Sequence, residues 1–83
     1  MVNFHAARQR RPLRGKRVTV TETLPNGVQL ILQRHDRPCL CAVDRCPLRL
    51  QSVHLPAVWS VSRARSWLRR HGYSDHNFER ARR

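Results

Sequence analysis

Two runs of alternating residues flank the turn sequence Pro25-Asn26-Gly27, and they constrain the fold more than any other feature of the chain. The apolar positions are Val18, Val20 and Leu24 before the turn and Val28, Leu30 and Leu32 after it. A period of two is typical of strands that bury one face. The sequence therefore predicts a β-hairpin that begins at Val18.

The register of this hairpin follows from the loop length. A two-residue loop would set Val20 opposite Gln33 and place apolar against polar side chains. A three-residue loop sets Val20 opposite Leu32 and aligns the apolar face. Pro25 suits the second position of a type I turn, and Gly27 suits the left-handed position that closes it. We therefore predict the three-residue loop.

A hairpin alone is only marginally stable in water, so other elements must cover it. Residues 39–43 and 48–55 are short stretches that favour strands. The apolar parity shifts within the second stretch, which predicts a bulge near Gln51 and Ser52.

The period becomes helical after Pro56. Val61, Ala64, Trp67, Leu68 and His71 share one face of a helical wheel. Ser60 or Ser62 is a suitable N-cap, and Gly72 is a suitable end. We predict a helix over residues 60–71 and a short closing helix that begins at Ser74.

The predicted fold class is α+β, in which the hairpin and one or two further short strands pack against one C-terminal helix. This single small domain spans residues 18–83. The predicted core comprises Val18, Val20, Leu24, Val28, Leu30, Leu32, Leu50, Ala64, Trp67 and Leu68.

Residues 1–17 are strongly basic and contain no acidic residue; the first acid is Glu22. Their cationic residues are Arg8, Arg10, Arg11, Arg14, Lys16 and Arg17. Pro12 and Gly15 interrupt any helix. Because such a segment buries little apolar surface, it predicts a flexible arm outside the domain.

The net charge of +12 predicts an acidic partner. All basic residues except Lys16 are arginines, which suits either bidentate phosphate contacts or a GC-rich coding sequence. The leading hypothesis is a noncatalytic nucleic-acid-associated protein. Its contacts would be the basic residues of the arm and, on one exposed helix face, Arg63, Arg69 and Arg70.

His35, Cys39, Cys41 and Cys46 are soft ligands close together in the sequence, and they would suffice for a tetrahedral zinc site. Their spacing is not that of a standard zinc motif, and cysteines of this kind are commonly core residues. No other cofactor is expected. A disulfide framework is disfavoured because the cysteine count is odd.

Catalysis and membrane insertion have little support. The five acidic residues show no paired spacing, and no glycine-rich phosphate loop is present. No apolar run is long enough to span a bilayer. We expect an intracellular protein that is neither an enzyme nor a membrane protein.

Residues 60–73 resemble an Ala-x-x-Trp-Leu-x-x-His-Gly segment of tailed-phage and prophage proteins of the head-morphogenesis type, here formed by Ala64, Trp67, Leu68, His71 and Gly72. The resemblance implies a small phage product, either a DNA-associated accessory or a regulator, in the virion or the host cytoplasm. The alternative function is a protein-interaction module: a virion structural piece or an inhibitor that binds an acidic face of a host protein.

Overall fold

The computed structural model describes residues 4–36 and 47–81 and shows an α+β fold. Its elements are β1 (Phe4–Arg8), β2 (Arg17–Thr23), β3 (Gln29–His35), β4 (Arg49–Pro56), α1 (Val61–Arg70) and β5 (Asn77–Glu79). The strands form one antiparallel sheet in the order β2-β3-β4-β1-β5. The predicted fold class is confirmed, with three strands in addition to the hairpin.

The hairpin of β2 and β3 has the predicted register. Val20 lies opposite Leu32. The Leu24 N–H donates to the Val28 carbonyl at 2.8 Å, which closes the three-residue loop. Gly27 has a φ of 89°, a left-handed conformation that costs glycine little.

The predicted bulge lies in β4. Ile31 pairs with Ser52 whereas Leu32 pairs with Leu50, so Gln51 is the extra residue. Because one inserted residue restores the parity, apolar residues on both sides of the bulge face the same side of the sheet.

The ends of α1 are also those that the sequence predicts. The Ser60 hydroxyl accepts a hydrogen bond from the Arg63 N–H at 3.1 Å, which caps the first turn. At the other end Gly72 has a φ of 76°, and the Tyr73 N–H donates to the Leu68 carbonyl at 2.9 Å. This pattern is a Schellman motif.

The core lies between α1 and one face of the sheet. Its buried apolar residues are Ala7, Val28, Val53, Leu55, Trp59, Ala64 and Leu68. Of the predicted core, Leu24, Leu30, Leu50 and Trp67 are only partly buried against this cluster. Val18 and Leu32 are half-buried, and Val20 is 39 % exposed. The centre of the core is therefore displaced from the hairpin towards β4 and β1.

The prediction of a flexible arm is wrong for residues 4–8. Phe4–Arg8 is an inner strand that pairs with β4 on one side and β5 on the other. Its inward residues are Ala7, which is fully buried, and His5. The His5 Nδ1 accepts from the Ala81 N–H at 2.9 Å, and its Nε2 donates to the Trp59 carbonyl at 2.7 Å.

The predicted closing helix is also wrong, because this segment forms β5. Phe78 lies opposite Ala7 in the sheet. The Gln9 side chain extends the pairing: its Nε2 donates to the Ser74 carbonyl at 2.8 Å, and its Oε1 accepts the Ser74 N–H at 2.9 Å. Ser74 therefore binds a neighbouring segment instead of capping a helix.

Two further expectations concern the remainder of the chain. The predicted strand over residues 39–43 lies outside the described residues. In the part of the chain that the structure describes, no helix is long and apolar enough to cross a membrane.

Candidate nucleic-acid interface

The sheet has two faces, and α1 covers one of them. Leu30 pairs with Val53 on the helix side of the sheet. Val53 belongs to the core cluster, and Leu30 packs against it. Because side chains alternate along a strand, the neighbouring pair Ile31 and Ser52 points to the opposite side. We call this side the far face; on it lie Thr19, Gln33, His35, Arg49 and His54.

The basic segment that joins β1 to β2 is attached to the sheet at its beginning. The N–H groups of Gln9 and Arg10 donate to the Gln51 carbonyl at 2.8 and 3.2 Å. The Gln51 side-chain amide in turn donates to the Arg10 carbonyl at 3.2 Å. Near the end of the segment, the Arg17 guanidinium donates to the Leu13 carbonyl at 3.0 Å. These bonds hold part of the predicted arm against the fold.

A cavity of about 370 Å³ lies between this segment and the far face. Its lining includes Arg10, Arg11 and Leu13 from the segment and Gln33, His35 and Arg49 from the sheet. Three guanidinium groups and an imidazole thus line one space, and none of the lining residues within 4–36 and 47–81 is acidic. We call Arg10, Arg11 and Arg49 the far-face cluster. Such a concentration of positive charge favours an anionic ligand.

Gln33 is a polar residue in this cavity with an unsatisfied atom. Its side chain exposes only 9 % of its surface. The amide Nε2 donates to the Thr19 Oγ1 at 3.4 Å, whereas Oε1 has no hydrogen-bond partner among the described residues. A buried acceptor without a donor costs about 1–3 kcal/mol.

The basic residues predicted from the arm lie in different places. Arg10 and Arg11 line the cavity, as described above. Arg8 is the exposed last residue of β1, and Arg17 is the exposed first residue of β2. Arg14 and Lys16 are exposed between them. The basic residues of the predicted arm are therefore exposed, on a segment whose first residues are hydrogen-bonded to Gln51.

The three arginines predicted on the helix form a separate surface. Arg63, Arg69 and Arg70 are exposed on α1, which lies on the other side of the sheet from the cavity. The Arg63 guanidinium lies 4.3 Å from the centre of the Trp59 ring, a cation–π contact that gives it a packing role. We call these three residues the helix arginines. The fold does not bring them together with the far-face cluster.

Several residues that line the cavity are not among those predicted from the sequence, and Arg49 and Gln33 are two of them. Arg49 and Gln33 are paired across β3 and β4, so both project from the far face at the same level. Neither has a local sequence signal, because polar residues are expected on the outer face of any sheet. Only the register of the strands places them beside Arg10 and Arg11.

The proposed metal ligands fall mostly outside the described residues. Cys39, Cys41 and Cys46 all lie there, and His35 is the last residue of β3. Within residues 4–36 and 47–81, no three side chains are grouped as metal ligands. The zinc hypothesis therefore stays a prediction.

His54 lies on the far face and makes stability depend on pH. Its ring stacks on Phe4 at a centroid distance of 5.7 Å, and burial lowers the pKa of His54 below its ordinary value of 6.5. The unfolded chain therefore takes up this proton first as the pH falls, which lowers the free energy of unfolding. We expect His54→Gln to lose less stability than the parent chain between pH values of about 8 and 5.5, measured by urea unfolding. An equal loss in both proteins would contradict this origin.

Comparisons with known proteins add no functional information. No protein-family model, curated protein or solved structure matches this chain.

Proposed function

We propose that this protein is a noncatalytic binding domain that associates with nucleic acid through its far face. The observation that carries the proposal is the far-face cluster, in which Arg10, Arg11 and Arg49 line one cavity with no acidic residue among the described part of its lining. Guanidinium groups bind phosphate oxygens in a bidentate manner, and neutralising phosphates releases counterions. The exposed Arg14, Lys16 and Arg17 extend the positive surface along the same segment.

The anchoring of the basic segment also favours binding. A free arm loses conformational entropy when it binds, whereas a segment already attached to the sheet has lost part of it beforehand. The hydrogen bonds to Gln51 hold Arg10 in this way. The backbone that carries Arg10 is therefore held in place before binding.

The resemblance of residues 60–73 leads us to extend the proposal to a phage or prophage accessory protein. This extension concerns the source and the setting of the protein. It does not alter the binding surface, because the resembling segment forms α1 on the opposite side of the sheet.

The test compares two variants that lose the same charge. Arg10→Gln, Arg11→Gln and Arg49→Gln are combined in one protein, and Arg63→Gln, Arg69→Gln and Arg70→Gln in the other. Fluorescence anisotropy measures the binding of each to single-stranded DNA, duplex DNA and single-stranded RNA at several salt concentrations. We expect the far-face variant to bind at least about tenfold more weakly at low salt, with a log–log salt slope reduced by about 2 to 3.

The helix variant is the matched control and should lose less than about threefold. Equal losses in the two variants would assign the binding to net charge and overturn the far-face site. If the parent chain binds none of the three probes in a salt-dependent manner, the proposal fails. An acidic protein surface would then be the favoured partner.

A further inference from the structure

The strand β2 lies at one end of the sheet, and among the described strands it pairs only with β3. It is seven residues long, and all of them except Val18 are exposed. The other end of the sheet is β5, which has only three residues. A long exposed edge strand is a template for pairing with a further strand, whereas a short one is a poor template. The β2 end of the sheet is therefore the end suited to bind another strand.

Two hydrogen bonds fix which backbone groups of β2 face away from the sheet. The Leu24 N–H donates to the Val28 carbonyl at 2.8 Å, and the Lys16 carbonyl accepts from the Asp36 N–H at 3.1 Å. Every second residue of an antiparallel strand directs its N–H and carbonyl to the same neighbour, so the even-numbered residues face β3. The backbone groups of the odd-numbered residues point outwards, and we call them the β2 edge: Arg17, Thr19, Thr21 and Thr23.

The side chains of β2 are complementary to those of a second copy of the chain. When two β2 strands are aligned antiparallel with Thr19 opposite Thr19, Val18 of each copy lies opposite Val20 of the other. In the same register Lys16 lies opposite Glu22, the only acidic residue of β2. Cross-strand pairs of apolar residues and of opposite charges stabilise a sheet. The two-fold symmetry makes each of these pairs occur twice.

The neighbouring registers lack this complementarity. Because side chains alternate between the two faces, apolar residues stay on one face only when the pairing shifts by two residues. One such shift sets Glu22 opposite Val18, and the shift in the other direction sets Lys16 opposite Val20. Charged residues on edge strands commonly prevent unwanted pairing. Glu22 and Lys16 thus favour the register in which they meet each other.

We propose that this protein forms a two-fold symmetric dimer in which the β2 edges of two copies pair antiparallel, with Thr19 at the axis. Only an axis perpendicular to the sheet brings the two edges together in this way, so the far faces of both copies lie on the same side of one continuous sheet. The contact is small, which predicts a dissociation constant on the order of 10–100 µM. The proposal does not depend on nucleic-acid binding.

Sedimentation equilibrium of nucleic-acid-free protein tests the association. Between about 5 and 300 µM, the measured mass should rise from the 9.8 kDa of one chain towards twice that value. A salt concentration of about 0.15 M limits the repulsion between two chains of net charge +12 to distances of about 8 Å, while Lys16 and Glu22 would be in direct contact. A parent chain that stays monomeric throughout this range overturns the proposal and leaves the β2 edge to a strand of another protein.

A proline substitution tests the role of the backbone. Thr21→Pro removes an N–H that faces away from β3, a position at which edge strands accept proline. This variant should fold, as judged by circular dichroism, and dimerise at least about tenfold more weakly, because the N–H is lost on both copies. Thr21→Val is the matched control: it keeps the N–H and should dimerise within about threefold of the parent chain. A folded Thr21→Pro protein that dimerises like the parent would place the contact elsewhere and contradict the proposal.

An exchange of charges tests the register. Glu22→Lys and Lys16→Glu each set like charges opposite one another at two places, and each should weaken dimerisation by about five- to tenfold. Both side chains are exposed, so neither change should unfold the chain. The double variant restores the opposite charges at an unchanged net charge of +12, and its affinity should return to within about threefold of the parent. No recovery in the double variant would overturn the register.

Hydrogen exchange distinguishes a second copy from a segment of the same chain. The N–H groups of Thr19 and Thr21 should be protected at concentrations at which the dimer forms and should exchange rapidly in the monomer. Protection that persists in the monomer would mean that another part of the same chain pairs with β2, and it would overturn the dimer.

Discussion

Deleting residues 1–8 will leave the chain without a stable fold. These residues contain the whole of β1, which pairs with β4 and β5, so the deletion removes a strand from inside the sheet. It also removes the buried Ala7 and the His5 side chain that binds Trp59 and Ala81. The free energy of unfolding of a small domain is only about 5–15 kcal/mol. Losing part of the core and the backbone hydrogen bonds of β1 to both β4 and β5 removes most of this free energy. Thermal unfolding followed by circular dichroism should show no cooperative transition.

The control keeps β1 and changes only the charge of the segment that follows it. Arg10, Arg11, Arg14 and Lys16 are each replaced by glutamine, and this protein should unfold within a few degrees of the parent chain. A deletion variant that still unfolds cooperatively near the parent temperature would contradict the inner position of β1. Because the deletion is expected to unfold the protein, a loss of binding in the deletion variant would not identify the binding residues. The binding surface therefore has to be tested by substitution.

The strand that the sequence analysis missed has few of the signals that identify strands. The hairpin was predicted with its register because strong apolar residues alternate on both sides of a recognisable turn. In β1 the inward residues are His5 and Ala7, a polar residue and a small one. Ala7 is buried because it belongs to the core cluster that includes residues of α1. His5 is buried because its ring nitrogens bind the backbone of Trp59 and Ala81, which are distant in the sequence. The charge of residues 1–17 taken as a whole also masks a difference within them, because residues 1–7 contain no Asp, Glu, Lys or Arg.

The candidate site was predictable only where its residues are neighbours in the sequence. Arg10 and Arg11 belong to an obvious basic run. Arg49 and Gln33 reach the same cavity through the pairing of β3 with β4. That pairing includes a bulge, and its register depends on contacts between distant segments. The unsatisfied Gln33 oxygen is a property of the folded environment and has no counterpart in the residue pattern.

Replacing Leu55 by alanine will destabilise the protein by about 2–5 kcal/mol. Leu55 lies in β4, is fully buried and belongs to the core cluster with Leu68 of α1. Truncation removes apolar contacts and leaves a cavity that a close-packed interior fills only in part. In a domain of this size, a loss of this magnitude lowers the unfolding temperature by roughly 10 °C or more. Urea and thermal unfolding measure both quantities.

Val20→Ala tests whether the core lies where the structure places it or beneath the hairpin. The alternation of β2 predicted Val20 as a core residue, yet its side chain is 39 % exposed on an edge strand of the sheet. The same truncation should therefore cost less than about 1 kcal/mol, mainly from strand preference. The hairpin alternates because one of its faces lies on the helix side, but α1 has only 10 residues and its buried positions are Ala64 and Leu68. Burial thus depends on which strands lie beneath those two residues. If Val20→Ala cost as much as Leu55→Ala, the hairpin would be the centre of the core and β1 only an accessory strand.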